Sequence, residues 1–241
     1  MNNTSTLQSV VNDFAEALAA KLDQAQHDYF ASALREANRN SVRKPIPWEP
    51  APRAPHDIPK HLDTLSNDIN DQRFLSAVKN FTWSQTYADS EGIDPGVTEG
   101  MFTANVYGST GVLSAEQFTA GIFLVTPNVY YPLHTHEAAE VYYCLAGSVE
   151  ITHRFDASPI RLEQEKCSVT PAGRLHALQT REQPVLLAYV WTGNISAPNW
   201  WWNKQDDNSW TRTAWQRDPS KGWQPGKTET VTPITFEAAM Q

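Results

Sequence analysis

The first hundred residues carry hydrophobic positions at the spacing of amphipathic helices. Apolar side chains over residues 6–20 fall on one face of a helix with about 3.6 residues per turn. A second helix with the same spacing is predicted from Tyr29 to Ala37, and one or two short helices between residues 61 and 81. The apolar face of the first helix is formed by Leu7, Val10, Val11, Phe14 and Leu18.

A proline-rich segment interrupts this helical region. Residues 45–55 carry a proline at every second or third position, and proline at that density excludes a regular helix or a central strand. The segment is predicted to be an extended connector that straps across the surface, with Trp48 buried as its anchor.

After residue 100 the pattern changes to short β-branched and aromatic runs separated by turn residues. Several short strands at this spacing predict a sandwich or barrel. Ala146-Gly147 is predicted to be a turn between two of the strands. The chain is therefore divided into a helical extension with its connector (residues 1–99) and a β-domain with a tryptophan-rich tail (residues 100–241). The predicted strands cover 102–107, 117–126, 139–145, 148–155, 166–170, 175–181 and 184–192.

Composition narrows the class of partner. The 241 residues carry a formal net charge of −8 and no run of Lys or Arg, which argues against nucleic acid or an anionic membrane surface as a partner. The start of the chain lacks a positive region followed by an apolar one, and the two cysteines show no disulfide or metal spacing. We expect a soluble cytoplasmic protein with a small-molecule partner.

Chemistry-bearing residues concentrate between residues 134 and 142. If this segment is one strand, His134, His136, Glu140 and Tyr142 share a face, because strand side chains alternate. His176 follows about one strand-turn-strand later. Three imidazoles and one carboxylate suit one divalent transition metal, and Zn, Fe, Mn, Ni or Co would each accept such a set.

Four aromatic residues are candidates for a catalytic or ligand-binding role beside this metal. Tyr142 lies two residues after Glu140 and is expected to face the metal. It could act there as a base, because contact with a dication lowers the pKa of a phenol. The alternative is that its side chain only fills the barrel. Tyr131 is a second phenol at the site mouth or a packing residue. Tyr189 and Trp191 share a strand face, where Trp191 could hold a cationic ligand by cation–π attraction.

The two motifs resemble those of the cupin superfamily. They read His134-x-His136-x3-Glu140-x6-Gly147 and Pro171-x-Gly173-x2-His176. The resemblance implies a mainly β fold, a double-stranded, jelly-roll-like β-barrel holding a divalent metal, here behind an N-terminal helical extension. The chain departs from the family pattern outside the ligands: Asn128 and Glu165 stand where cupins usually have glycine, and Thr180 replaces an asparagine.

A narrower resemblance adds the aromatic residues. His136-x3-Glu140-x-Tyr142, with Tyr131 before it and Trp191 after it, looks like the cupin-type dimethylsulfoniopropionate lyases. That family cleaves dimethylsulfoniopropionate, a zwitterion, to dimethyl sulfide and acrylate. The resemblance implies a metal holding the substrate carboxylate, Tyr142 as general base, Tyr131 orienting the substrate or sharing the base role, and Tyr189 and Trp191 in the substrate wall.

Other functions fit the same ligands. A cupin dioxygenase, which needs a redox-active metal, an isomerase or a decarboxylase is the alternative enzyme class. A non-enzymatic small-ligand-binding cupin is the third hypothesis. The tail tryptophans could cap a pocket, pack the barrel or meet a second subunit in a homodimer; they are Trp200, Trp201, Trp202, Trp210, Trp215 and Trp223.

Overall fold

The structure is a computed structural model. It describes residues 2–43, 58–87, 90, 92–218 and 222–241. The proline-rich connector, with the predicted anchor Trp48, lies outside the described residues.

Four helices before the barrel lie close to the positions that the apolar spacing predicts. Two further short helices were not predicted. Among the described helices, none is both long enough and apolar enough to cross a membrane. The six helices are α1 (Asn2–Gln24), α2 (Asp28–Asn40), α3 (Ile58–Ser66), α4 (Gln72–Asn80), α5 (Pro95–Gly100) and α6 (Pro233–Met240).

The described strands begin before the barrel proper and run into the tail. They are β1 (Val42–Arg43), β2 (Ser84–Gln85), β3 (Met101–Tyr107), β4 (Leu113–Ser114), β5 (Phe118–Val125), β6 (Tyr130–Thr135), β7 (Ala138–Thr152), β8 (Ile160–Glu163), β9 (Cys167–Thr170), β10 (His176–Gln179), β11 (Val185–Gly193), β12 (Asn199–Lys204), β13 (Trp210–Asp218) and β14 (Gly222–Thr230).

These strands form two almost wholly antiparallel layers joined by β7. The first half of β7 pairs with β11 and β9, and β11 continues to β5 and β3. The second half pairs with β8 and β10, and that layer continues through β6, β12, β13 and β14. The mainly β, double-sheet barrel with N-terminal helices is confirmed. The division at residue 100 stays a prediction, although β2 already pairs with β3.

The predicted turn at Ala146-Gly147 is wrong, because β7 runs through it as one strand. Instead the register against β11 shifts there: Leu186 pairs with Ala146 and Leu187 with Cys144. Gly147 has φ +76°, and a Cβ on it would lie 2.2 Å from the carbonyl oxygen of Pro184. Leu145 is therefore the extra residue of a bulge, and Gly147, paired with Val185, allows the close approach to Pro184 where the strand passes from one sheet to the other.

Two departures from the cupin pattern keep the expected backbone. Asn128 and Glu165 adopt φ +61° and +62°, the left-handed conformation that favours glycine. Thr180 ties the chain where cupins use asparagine: its hydroxyl donates to the carbonyl of Thr126 at 2.6 Å and accepts from the Val129 amide at 3.0 Å. The turns are preserved by different side chains.

The helical extension packs on the outside of the barrel through aromatic contacts. Phe14 on α1 meets Phe74 and Phe81 edge-on, with ring centroids 6.0 and 5.5 Å apart. Phe74 on α4 lies 5.9 Å from Tyr143 on β7. One continuous hydrophobic cluster therefore joins the helices to the outer face of the first sheet.

Replacing Phe14 with alanine is expected to lower the free energy of unfolding by about 3–5 kcal/mol, because the ring is fully buried and its removal leaves a cavity. Urea unfolding followed by circular dichroism measures the change. The exposed Asn12→Ala on the same helix is the control and should change stability by less than about 0.5 kcal/mol. A Phe14→Ala loss equal to the control would contradict the packing of α1 on the barrel.

The C-terminal tail contains strands that extend the second sheet, followed by a short helix. Trp201 and Trp215 are buried in the barrel-side cluster, where their rings lie 5.3 Å apart. Trp202 packs instead with Leu175 and with Phe236 of α6. These tail tryptophans therefore pack the barrel, and Trp223 also lines the interior cavity described below.

Candidate metal centre and active site

The four predicted ligands come from three strands and one link. His134 is on β6, His136 lies in the link between β6 and β7, Glu140 is on β7 and His176 begins β10. The condition that residues 134–142 form one strand is not met, because β6 ends at Thr135 and β7 starts at Ala138. The ligands still converge, since β6 and β10 pair with His134 opposite His176.

The three imidazoles point their Nε2 atoms into one space. One ring nitrogen of each histidine lies within 4.8 Å of those of the others. The Nδ1 atoms face backbone carbonyls: that of His134 is 2.8 Å from Pro132 O, that of His136 2.8 Å from Ala138 O, and that of His176 3.0 Å from Arg174 O. Nδ1–H therefore donates to the backbone, and each Nε2 keeps its lone pair for a ligand.

The remaining polar atoms lack partners inside the protein. Glu140 Oε2 lies 3.4 Å from Nε2 of both His136 and His176. These three atoms are buried and have no hydrogen-bond partner among the described residues. A buried polar atom without a partner costs free energy, so the arrangement fits a cation bound between them.

The electrostatics favour the same protonation states as a metal. Burial lowers the pKa of both His134 and His176, which keeps the rings neutral. Neutral imidazoles and an ionised carboxylate are the forms that bind a divalent transition metal. The histidine cluster could therefore hold a metal.

Trp191 holds the second oxygen of the carboxylate. Its indole N–H donates to Glu140 Oε1, and its ring lies against His136 with centroids 4.1 Å apart. The pairing of Trp191 with Glu140 across β11 and β7 places the two side chains together. Because Oε1 is engaged, Oε2 is the oxygen that remains for the metal.

A cavity of about 470 Å³ inside the barrel borders this cluster. It is lined by all four aromatic candidates and by Glu140. Trp223, one of the tail tryptophans expected to cap a pocket or pack the barrel, also lines it. The wall further includes residues that the sequence did not single out, chiefly Thr86, Tyr87, Met101, Thr103, Asn105, Thr119, Phe123, Asn199 and Arg217.

The two tyrosines nearest the cluster differ in their surroundings. Tyr142 stacks with Phe123 at 6.2 Å, and burial and then the charge of Glu140 raise its pKa well above the usual value. Tyr131 stacks on His134 at 4.1 Å, and its hydroxyl is bonded to Tyr87 and Asn199. Tyr142 thus lies beside the carboxylate, whereas Tyr131 lies over an imidazole.

A match to the model of a protein family shows which family this chain belongs to. The model of the dimethylsulfoniopropionate lyase family matches residues 30–187, more than half of the chain. The chain belongs to this family. The match runs from α2 to the first three residues of β11, and so includes the four ligand candidates, Tyr131 and Tyr142.

Proteins similar to this chain also carry the name dimethylsulfoniopropionate lyase. Dimethylsulfoniopropionate lyase DddQ of Ruegeria pomeroyi is 28% identical over 123 residues, which are 51% of this chain and 60% of that protein's length. The crystal structure of DddQ from the same organism is 24% identical with a TM-score of 0.49, covering 75% of this chain and 95% of the other. Structures of the lyases RdDddP and RnDddQII give 21% identity, a TM-score of 0.47, and coverage of 74% and 94%.

Sequence reasoning missed Tyr87, Asn199 and Asn105 in the cavity wall. Asn105 Oδ1 accepts from the Tyr189 hydroxyl. No spacing rule links these residues to the ligand motifs. The local signals were weak: Asn199 precedes a run of tryptophans, and Tyr87 follows a two-residue strand.

Replacing Trp191 with phenylalanine is expected to weaken metal binding by about 10- to 100-fold, because the ring can still lie against His136 but no N–H fixes Glu140 Oε1. Competition with a chromogenic chelator measures the metal affinity. Trp210→Phe, a half-buried tryptophan that packs with Phe155 and Phe236, is the matched control. Equal affinities of the two variants would rule out this role of Trp191.

Proposed function

We propose that the chain cleaves dimethylsulfoniopropionate to dimethyl sulfide and acrylate by β-elimination. The observation that carries the proposal is the position of Glu140 and Tyr142 in the wall of one cavity, beside a cluster in which ring nitrogens of three histidines converge. Membership of the lyase family supports the substrate. The substrate has an acidic α-hydrogen and a sulfonium leaving group, so a positioned base is the main requirement.

His134, His136, Glu140 and His176 are the proposed ligands of one divalent transition metal, with Zn, Fe, Mn, Ni and Co as candidates. When bound, the metal supplies a positive charge that holds the substrate carboxylate and stabilises the charge that develops beside it. Trp191 keeps Glu140 in place for this role.

Tyr142 is the proposed general base. Its phenolate oxygen takes the proton from the carbon next to the carboxylate. The pair of electrons from that C–H bond forms the carbon–carbon double bond, and the pair in the C–S bond leaves with sulfur as neutral dimethyl sulfide. Burial opposes ionisation of this phenol, and a dication beside it acts in the opposite direction.

The aromatic wall is the proposed site for the sulfonium end. Tyr131, Tyr189 and Trp191 are the substrate-binding candidates, and they face a cavity that also exposes Phe123 and Trp223. Ring faces attract cations through their quadrupoles. The carboxylate then lies toward the histidines and the sulfonium toward the rings, which orients the α-hydrogen toward Tyr142.

Product analysis tests the proposal. Metal-loaded protein is incubated with dimethylsulfoniopropionate, and proton NMR should show one acrylate and one dimethyl sulfide per substrate consumed, with the same rate when oxygen is excluded. The neutral thioether 3-(methylthio)propionate is the control and should not react, since a thiolate leaves far less readily. No acrylate with any candidate metal, or a reaction that requires oxygen, would contradict the lyase and favour another cupin chemistry.

A further inference from the structure

Arg217 gives the cavity a positively charged side chain at its accessible end. Of the described residues that line the cavity, Glu140 and Arg217 are the charged ones. Glu140 and Tyr142, beside the histidines, are 1% and 4% exposed, whereas Arg217 on β13 is an exposed residue. Arg217 pairs across the sheet with Trp223 of β14, which lines the same cavity. The cavity therefore has a buried end with the candidate metal ligands and an accessible end with a guanidinium.

The guanidinium of Arg217 has no carboxylate partner in the part of the chain that the structure describes. Burial lowers its pKa, and the phenols of Tyr189 and Tyr87 oppose that change, so the groups beside it are phenols and not carboxylates. Arg212 on the same strand differs, because it donates to Glu229 Oε1 at 2.6 Å. A charged group surrounded by protein gains free energy from an oppositely charged partner. An anion that enters the cavity would supply that partner to Arg217.

The other exposed residues of the cavity wall are neutral and polar. They are Ser109, Ser196 and Gln216. Hydroxyl and side-chain amide groups can donate hydrogen bonds to an anion. None of these residues brings a negative charge to the accessible end, so the positive charge of Arg217 determines its preference for a ligand. This end of the cavity therefore favours an anionic group.

The cavity is large enough for two small molecules at once. Its volume of about 470 Å³ is in the range of pockets that hold drug-sized ligands. Dimethylsulfoniopropionate and acrylate are far smaller than such ligands. A carboxylate at Arg217 and a substrate beside the histidines can therefore be bound together, and the two ends of the cavity can act as separate sites.

We propose that Arg217 forms a second binding site in the cavity, which holds the product acrylate through its carboxylate. The guanidinium donates two parallel N–H bonds to the two carboxylate oxygens. The inference rests on the proposed function for the identity of this ligand. The same positive charge repels a sulfonium, so the site prefers anionic acrylate to the zwitterionic substrate. Arg217 lies beyond residue 187, where the family match ends, so the site belongs to the tail of this chain.

Protection from chemical modification tests the site directly. Metal-loaded protein is treated with 2,3-butanedione, which modifies accessible guanidinium groups, and peptide mass spectrometry follows each arginine separately. Propionate has the charge and size of acrylate without its reactive double bond, and it should slow the modification of Arg217 in a saturable manner. Propionamide, its neutral isostere, should not. Arg154, an exposed arginine paired with Asp156 outside the cavity wall, is the internal control and should respond to neither compound.

Inhibition of dimethyl sulfide release by propionate separates the two ends of the cavity. Propionate that replaces the substrate beside the histidines raises KM, whereas propionate at Arg217 also binds the substrate-loaded enzyme and lowers kcat. Arg217→Gln should raise the inhibition constant that governs kcat on the order of tenfold, the size of one hydrogen bond to a charged group. Arg212→Gln, on the same strand but outside the cavity wall, is the matched control and should leave that constant at the wild-type value. Thermal unfolding shows whether each variant is folded.

The outcomes distinguish this inference from the proposed function, because protection of Arg217 is measured without turnover. If the wild-type protein releases no dimethyl sulfide, the proposed function fails, and saturable protection of Arg217 by propionate still supports a carboxylate site. Equal modification of Arg217 with and without propionate overturns the site even in an active lyase, and so does equal protection by propionamide. Equal inhibition constants for kcat in folded Arg217→Gln and Arg212→Gln also overturn it.

Discussion

Replacing Tyr142 with phenylalanine is expected to lower dimethyl sulfide release by at least about 100-fold while the protein keeps its metal. General base catalysis by a positioned side chain contributes about 10²- to 10⁴-fold, and phenylalanine retains the stacking on Phe123 at 6.2 Å but has no oxygen to take a proton. Headspace gas chromatography measures the release, and elemental analysis the metal content of the same sample.

Tyr143→Phe is the matched control for this substitution. Tyr143 is the next residue on β7 but points to the opposite face, where it packs near Phe74 of α4. It should release dimethyl sulfide at the wild-type rate. Turnover of Tyr142→Phe equal to that of Tyr143→Phe would show that Tyr142 is not the general base and would leave Tyr131 as the candidate.

Replacing His176 with alanine is expected to lower both metal content and turnover. His176 is fully buried and supplies one of three convergent Nε2 atoms, 3.4 Å from Glu140 Oε2. Its loss leaves an incomplete donor set that binds a dication more weakly. Metal content by elemental analysis should become substoichiometric after dialysis, and dimethyl sulfide release should fall in proportion.

His153→Ala serves as the comparison for the ligand assignment. His153 is a half-buried histidine whose Nε2 lies 3.3 Å from the Ser168 hydroxyl, outside the ligand cluster. It should keep full metal content and turnover. If His176→Ala retained one metal per chain with wild-type release, the three-histidine centre would be the wrong assignment.

Spacing along the chain was enough to predict most helices and to select a group of residues that the fold brings together. His134, His136 and Glu140 lie within seven residues, and the second motif places His176 on a nearby strand. One continuous strand is not formed, since a link follows Thr135, yet the candidate ligands converge because β6, β7 and β10 belong to one barrel. The helices were predictable because their apolar faces repeat over several turns.

Contacts between distant residues could not be predicted in this way. Tyr131 meets Tyr87 across 44 residues and Asn199 across 68, and no local period encodes such pairs. Gly147 illustrates the limit at short range. Alanine followed by glycine between two apolar runs favours a turn, but here the glycine with positive φ lies beside a bulge inside a long strand.

Metal removal and restoration test the central claim most directly. Purified protein is stripped with a chelator, its metal loss is verified by elemental analysis, and dimethyl sulfide release from dimethylsulfoniopropionate is measured before and after adding Zn, Mn, Fe, Ni or Co singly. The account predicts that stripping abolishes release and that at least one metal restores it. Full release from metal-free protein would contradict a metal-dependent lyase.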